Sequence, residues 1–263
     1  MNIAILTANE PFYLPAALAH VLEHANPDDR FMVLIAPASH KVKRDGKWRD
    51  KSVAMRVLQS FGVREFAYLA SKAVLHKLLD RLPARRGRYY SVTGVCRAFN
   101  VAAHHVPNVN SEQTLALLRD WNVDLLVSLS CPQLFKKKLI DLAPKGCLNL
   151  HCSPLPNYRG LYPAFWMLKN NESNAGATLF FVNEAIDGGD VLLRRHYPVD
   201  PEETLDAFLK RSKRIGSELI VEGIERVRQG DYQTEPLDEK AGSYYTWPTA
   251  EDVRLFKQSR QLR

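Results

Sequence analysis

Short apolar runs along this chain alternate with stretches whose apolar residues return every three or four positions. The runs predict strands over 2–7, 31–36, 100–106, 124–129, 147–151, 177–182 and 191–197. The stretches between them predict helices over 14–24, 53–61, 67–82, 112–121, 132–142 and 163–170. A longer helix is expected over 203–228, with an apolar face running from Leu205 through Leu219 to Val227 and Gly230 as its stop. Strands and helices in alternation predict an α/β fold, a mainly parallel twisted sheet with helices on both faces. Residues 1–230 form the expected body and 231–263 a C-terminal extension, aromatic first, then helical, then basic.

Composition narrows the function classes. Apolar residues make up 46% of the chain, enough for a substantial core. No apolar run reaches the roughly 18 residues of a membrane span, and the first residues lack the charged-then-apolar layout of a leader. A cytoplasmic protein is therefore expected. Cys96, Cys131, Cys147 and Cys152 show no Cys-x-x-Cys spacing, so neither a metal site nor a disulfide frame is expected. Net charge is +7 and unevenly spread. Residues 41–90 hold fourteen Lys or Arg against four Asp or Glu, a balance of +10 that leaves −3 for the rest. This block is expected to be a basic helical insertion. It reads equally as a solvated surface or as an attractor for a nucleotide diphosphate, RNA or a membrane surface, and charge alone does not choose.

Chemistry concentrates between Gly146 and Gly160. The apolar strand 147–151 delivers Asn149 and His151 two positions apart, hence to the same face. Prolines 154 and 156 and Gly160 then end pairing and open a mouth beside them. An amide and an imidazole at such a rim suit stabilisation of an oxyanion on an acyl carbon; a buried His satisfied by an Asn neighbour is the plainer alternative. Further on, Gly176-Ala177-Thr178 opens a strand that turns at Asp187-Gly188-Gly189.

Asn-x-His with its proline-rich loop, followed by Gly-x-Thr and Ile-Asp-Gly-Gly, resembles the folate-dependent formyltransferases: the methionyl-tRNA, glycinamide-ribonucleotide and sugar N-formyltransferases. The resemblance covers residues 100–200 most strongly and implies a Rossmann-like core. It also implies that Asn149, His151 and Asp187 form a catalytic trio moving a formyl group from 10-formyltetrahydrofolate, a co-substrate, to a primary amine with no metal and no covalent enzyme intermediate. Asn149 and His151 would donate to the formyl oxygen, while Asp187 holds His151 and takes the amine proton. Leu129, Cys131, Asn183, Glu184, Ala185 and Ile186 are the expected folate neighbours. Ser153, Tyr158, Arg159, Tyr244, Tyr245 and Trp247 are the candidates for the acceptor site.

The first strand-to-helix turn, Thr7-Ala8-Asn9-Glu10-Pro11, lacks the glycine-rich phosphate loop of the glycinamide-ribonucleotide enzymes. About 33 residues after Gly230 are too few for the C-terminal domain expected of a methionyl-tRNA enzyme. The expected acceptor is thus a small-molecule amine, a nucleotide-linked amino sugar foremost, with nucleic acid not expected. Homodimerisation through the tail or the long helix stays open. Alternatives are a methionyl-tRNA formyltransferase-like enzyme, a formyltetrahydrofolate hydrolase using water in place of the amine, and a non-enzymatic basic module on RNA or membrane.

Overall fold

A computed structural model describes residues 1–37, 39–44, 47–82, 87–184, 187–238 and 240–263, with side chains for all of these except 39–44 and 47–52. The chain opens with β1 (Asn2–Ala8), α1 (Leu14–His24) and β2 (Arg30–Ala36). An antiparallel pair follows, β3 (Ser39–Arg44) with β4 (Lys47–Ser52), outside the main sheet. Three helices come next: α2 (Val53–Phe61), α3 (Val63–Leu79) and α4 (Val92–Ala98). Then come β5 (Ala102–His105), α5 (Glu112–Asp120), β6 (Leu125–Leu129), the short α6 (Lys137–Ile140) and β7 (Cys147–His151). The remainder runs β8 (Arg159–Gly160), α7 (Pro163–Lys169), β9 (Asn174–Phe181), β10 (Val191–Pro198), α8 (Leu205–Gln229), β11 (Tyr244–Tyr245) and α9 (Ala250–Ser259).

Seven strands form the main sheet in the order β10-β9-β7-β6-β1-β2-β5. The five from β7 to β5 pair in parallel, while β9 and β10 run antiparallel at one edge. Strand alternation splits the core into two layers. Ile3, Ile5, Val127 and Leu148 face α1, α4, α7 and α8, whereas Ala4, Leu6, Leu126 and Cys147 face α5 and α6. Each fully buried Leu or Ile contributes about 1.5–3 kcal/mol, so both layers hold the sheet firmly.

The long helix α8 presses on the strand that carries Asn149 and His151. Gly216 lies so close to β7 that a Cβ there would sit 2.5 Å from Leu150 Cδ2. Only a glycine lets the α8 backbone press on β7 at this point. Thr204 caps the helix by accepting from Ala207 N, and Gly230 ends it in the left-handed region at φ 71°.

Two expectations need correction. The basic block is not helical throughout, since it starts with the β3–β4 pair before α2 and α3. The helix expected over 132–142 shrinks to Lys137–Ile140. Side-chain amides compete for the backbone there: Gln133 Oε1 accepts from Val109 N, Asn110 Nδ2 donates to the Leu134 carbonyl, and Asn110 Oδ1 accepts from Lys136 N.

Candidate active site

Strand β7 carries Asn149 and His151 on the α5–α6 face of the sheet, beside Ser128 of β6 and opposite Phe180 and Thr178 of β9. Past His151 the chain leaves the sheet, and its loop is tied from within. Thr178 Oγ1 donates to the Ser153 carbonyl at 2.7 Å and accepts from Leu155 N at 3.1 Å. Ser153, fully buried, donates its hydroxyl to the Asn157 carbonyl at 2.9 Å. Its expected contact with an acceptor gives way to a pin that shapes the loop.

Asp187 arrives from the turn between β9 and β10. It sits at φ 48°, a left-handed conformation that Asp tolerates. Gly189 follows at φ 109°, where a Cβ would fall 1.9 Å from the Phe181 carbonyl oxygen. The turn is thus bound to this residue pair, and it swings the carboxylate back over β7.

Three groups converge there. Asp187 Oδ2 accepts from Gly160 N at 2.7 Å, which leaves Oδ1 3.6 Å from His151 Nδ1. His151, buried, uses its other nitrogen, Nε2, at 2.8 Å from the Tyr158 carbonyl. A carbonyl only accepts, so Nε2 carries a proton and, in the neutral ring, Nδ1 is left with its lone pair on the Asp187 side. The 3.6 Å gap is longer than a hydrogen bond. Asn149 is half-buried, and among the described residues its side-chain amide has no hydrogen-bond partner.

Asn149 and Asp187 line a cleft of about 800 Å³. Leu134, Phe135, Phe180 and Val182 give it apolar walls, Cys131 and Ser128 its floor, and Lys136 and Lys138 a cationic rim. Burial pushes the Cys131 thiol up to about 12, so it stays protonated at neutral pH. Leu129, expected beside the folate, is instead fully buried in the core, and its carbonyl accepts from Thr7 Oγ1 at 2.8 Å. Asn183 and Glu184 stand exposed on the cleft wall, while Ala185 and Ile186 lie outside the described residues. No group of three or more potential metal ligands occurs among the described residues.

A residue that sequence reasoning passed over sits at the end of β1. The Glu10 carboxylate accepts from the backbone N–H of Phe12, Tyr13 and Leu14 at 2.6, 2.9 and 3.1 Å. A helix N-terminus is a ready anion seat, and here the chain fills its own. Burial raises the Glu10 carboxyl above its usual range, with the three amide donors and nearby Lys213 pulling the other way. Lys213 donates to Ser130 Oγ at 2.6 Å, tying α8 to the end of β6. The only sequence hint was the missing glycine in this turn.

The tail aromatics mostly face inward. β11 pairs in parallel with β8, Tyr244 against Arg159 and Tyr245 against Gly160. Tyr158 stacks on Tyr245 with centroids 5.2 Å apart, and its hydroxyl donates to Glu172. Tyr245 also stacks on Trp166. Trp247 lies flat on Tyr162 at 5.1 Å and donates Nε1–H to Ser60 Oγ at 3.1 Å. Tyr158, Tyr245 and Trp247, expected at the acceptor, are thus directed into a packed strap. Tyr244 stays exposed beside Arg159, and the Gly160 N–H that holds Asp187 is one residue away.

Comparison with known proteins places these residues in context. The family described as formyl transferase matches residues 1–224. Methionyl-tRNA formyltransferases of Trichlorobacter lovleyi and Citrifermentans bemidjiense are 30% and 32% identical over 144 residues, 55% of this chain. The alignments take in 46% and 45% of those relatives, so the chain spans about half the length of the curated proteins it matches. Among solved structures, a sugar N-formyltransferase from a Shewanella species aligns over 94% of this chain and 76% of its own, at 19% identity and TM-score 0.56. An N-formyltransferase from Helicobacter canadensis, solved with folinic acid and dTDP-3-aminofucose, aligns over 100% and 81% at 15% identity and TM-score 0.57. A phosphoribosylglycinamide formyltransferase from Anaplasma phagocytophilum aligns over 93% and 98% at 14% identity and TM-score 0.60. At these identities the likeness is one of fold, a Rossmann-like sheet with its antiparallel edge.

Proposed function

Because the chain belongs to the formyl transferase family, we propose that it transfers a formyl group from 10-formyltetrahydrofolate to a primary amine. The observation that carries this reading is the Asn149 amide, without a hydrogen-bond partner among the described residues, on the cleft wall beside the His151–Asp187 pair. The cleft suits a folate: apolar walls for a pterin, and Lys136 and Lys138 for the carboxylates of its tail. When bound, the folate supplies the formyl carbon as electrophile.

The chain's own groups divide the remaining work. Asn149 donates a hydrogen bond to the formyl oxygen as negative charge grows on it, an effect of about 3 kcal/mol for one such donor. His151 cannot donate there through Nε2, which the Tyr158 carbonyl holds. Its Nδ1 is instead the base that takes the proton of the attacking amine, and Asp187, 3.6 Å away, stabilises the imidazolium that results. Gly160 N keeps the carboxylate in place throughout. His151 thereby takes the proton transfer that the sequence expectation gave to Asp187, and Asp187 keeps the part of holding His151.

For the acceptor we favour a nucleotide-linked amino sugar. The exposed Tyr244 ring paired with Arg159, next to the residue that holds Asp187, suits an anionic ligand with a stackable base. Glu10 in the β1 anion seat disfavours an acceptor that needs a phosphate there. Initiator methionyl-tRNA is the second reading, supported by the sequence relatives. The test is tetrahydrofolate release from 10-formyltetrahydrofolate against a panel of amino-sugar nucleotides, with a methionyl-tRNA arm and a no-acceptor control. Release with an amino-sugar nucleotide alone supports the reading; release only with tRNA reassigns the acceptor. Release without any acceptor makes the protein a hydrolase.

A further inference from the structure

α3 has 17 residues and not one of them is buried. Its inner side is moored to the turn after β1. His76 Nδ1–H donates to the Pro11 carbonyl at 3.0 Å, its ring meets Phe12 edge-on at 5.6 Å, and Lys72 lies 3.8 Å from Asp206. Its outer side carries no buried residue. Val63, Ala67, Ala70, Val74 and Leu78 follow one another at intervals of three and four, so they form one stripe. Leu75 and Leu82 flank it, and the five large members of this face are each exposed to between 52 and 73%.

With Tyr68 these make six of the ten large apolar side chains exposed among the described residues, so the apolar surface of the molecule is gathered on this element. A contiguous exposed patch of that kind marks an interaction face. Its surroundings say with what. Arg64, Lys77, Arg81 and Arg88 stand exposed along it. Its acids are already committed, Glu65 to Arg263 and Asp80 to Arg97. Among the described residues, what reaches solvent along this helix is therefore an apolar ridge with a basic rim.

We propose that the outer face of α3 docks on an anionic membrane surface, its leucines and valines entering the headgroup boundary and its cations meeting lipid phosphates. Charge decides against a second copy, because two such rims would repel each other across the contact. Apolar side chains decide against RNA, whose backbone offers them nothing to displace water from.

Flotation through a sucrose gradient tests the proposal without reference to catalysis. The probes are phosphatidylcholine vesicles with and without about one third phosphatidylglycerol, at low and high salt. Wild-type protein is expected to float with the anionic vesicles and not with the neutral ones. Val74→Ser with Leu78→Ser should lower binding roughly tenfold or more, and Lys77→Glu with Arg81→Glu by a similar factor, both with unchanged melting. Protein that stays at the bottom with every vesicle overturns the proposal. Binding that survives Val74→Ser with Leu78→Ser overturns it in favour of a purely electrostatic site for a polyanion. A dimer in sedimentation velocity that the same double variant dissolves overturns it in favour of a second copy.

Discussion

In the proposed reaction Asn149 is the residue that meets the formyl oxygen, and its isolation among the described residues makes that role testable. Among the described residues nothing in the protein uses its amide, so Asn149→Ala should leave melting unchanged while lowering formyl transfer about 10²–10³-fold. A variant that keeps more than about a tenth of wild-type turnover would take the residue out of the mechanism. Asp187→Asn keeps an oxygen for Gly160 N but loses the charge that meets a protonated His151. Turnover should fall about 100-fold or more, with the KM for folate little changed. A matching rise in KM would instead mark Asp187 as a folate contact. Cys131 makes a different case. It lines the cleft, yet burial holds its thiol up to about 12 and that of Cys96 up to about 11. Iodoacetamide at pH 8 should leave both unmodified in the native protein and label them after unfolding, because only a thiolate reacts. Fast native labelling would contradict the burial. At this scale the sequence showed Asn149 and His151 well, since strand alternation alone puts them on one side. It could not show that the Tyr158 carbonyl claims Nε2, because a backbone partner leaves no trace in residue identity.

Elements were legible where one signal dominated. Leu14–His24, Val53–Phe61 and Cys147–His151 have the bounds expected from periodicity. The signal failed where local polar side chains outcompeted helix, as Asn110 and Gln133 do around 133–136. It also failed for α4, whose Ser91 cap on Gly94 N starts a helix of only seven residues. The aromatic tail was legible as an element but not as to its use. Its rings find Tyr158, Tyr162 and Trp166 from far away in the chain, and such pairings have no period. Trp247→Ala should therefore act on stability. Losing the stack on Tyr162 and the bond to Ser60 should cost about 2 kcal/mol, lowering the melting temperature by roughly 4–8 °C with the acceptor KM unaltered. A selective rise in that KM with normal melting would return Trp247 to the acceptor site.

At the scale of the molecule, the sheet sets where a ligand can go. From β1 the strand order proceeds one way through β2 to β5 and the other way through β6, β7 and β9. The crevice outside the carboxyl ends of β1 and β6 is the natural ligand site of such a sheet. One wall of it holds Ser130 with Lys213, and the other holds Glu10 on the amides of α1. That seat has an occupant which never diffuses away. A tethered carboxylate meets its partners at an effective concentration far above the millimolar level that even short flexible linkers give. Free phosphate competes with it on losing terms, so catalysis should be indifferent to phosphate in the buffer. Glu10→Ala frees the seat, and inorganic phosphate at ten times its dissociation constant should then raise stability by about 1.4 kcal/mol, while wild type shows no shift. Equal shifts in both would mean phosphate binds elsewhere. Glu10 thus behaves as a built-in competitor of phosphate, keeping the crevice beside it closed to that anion.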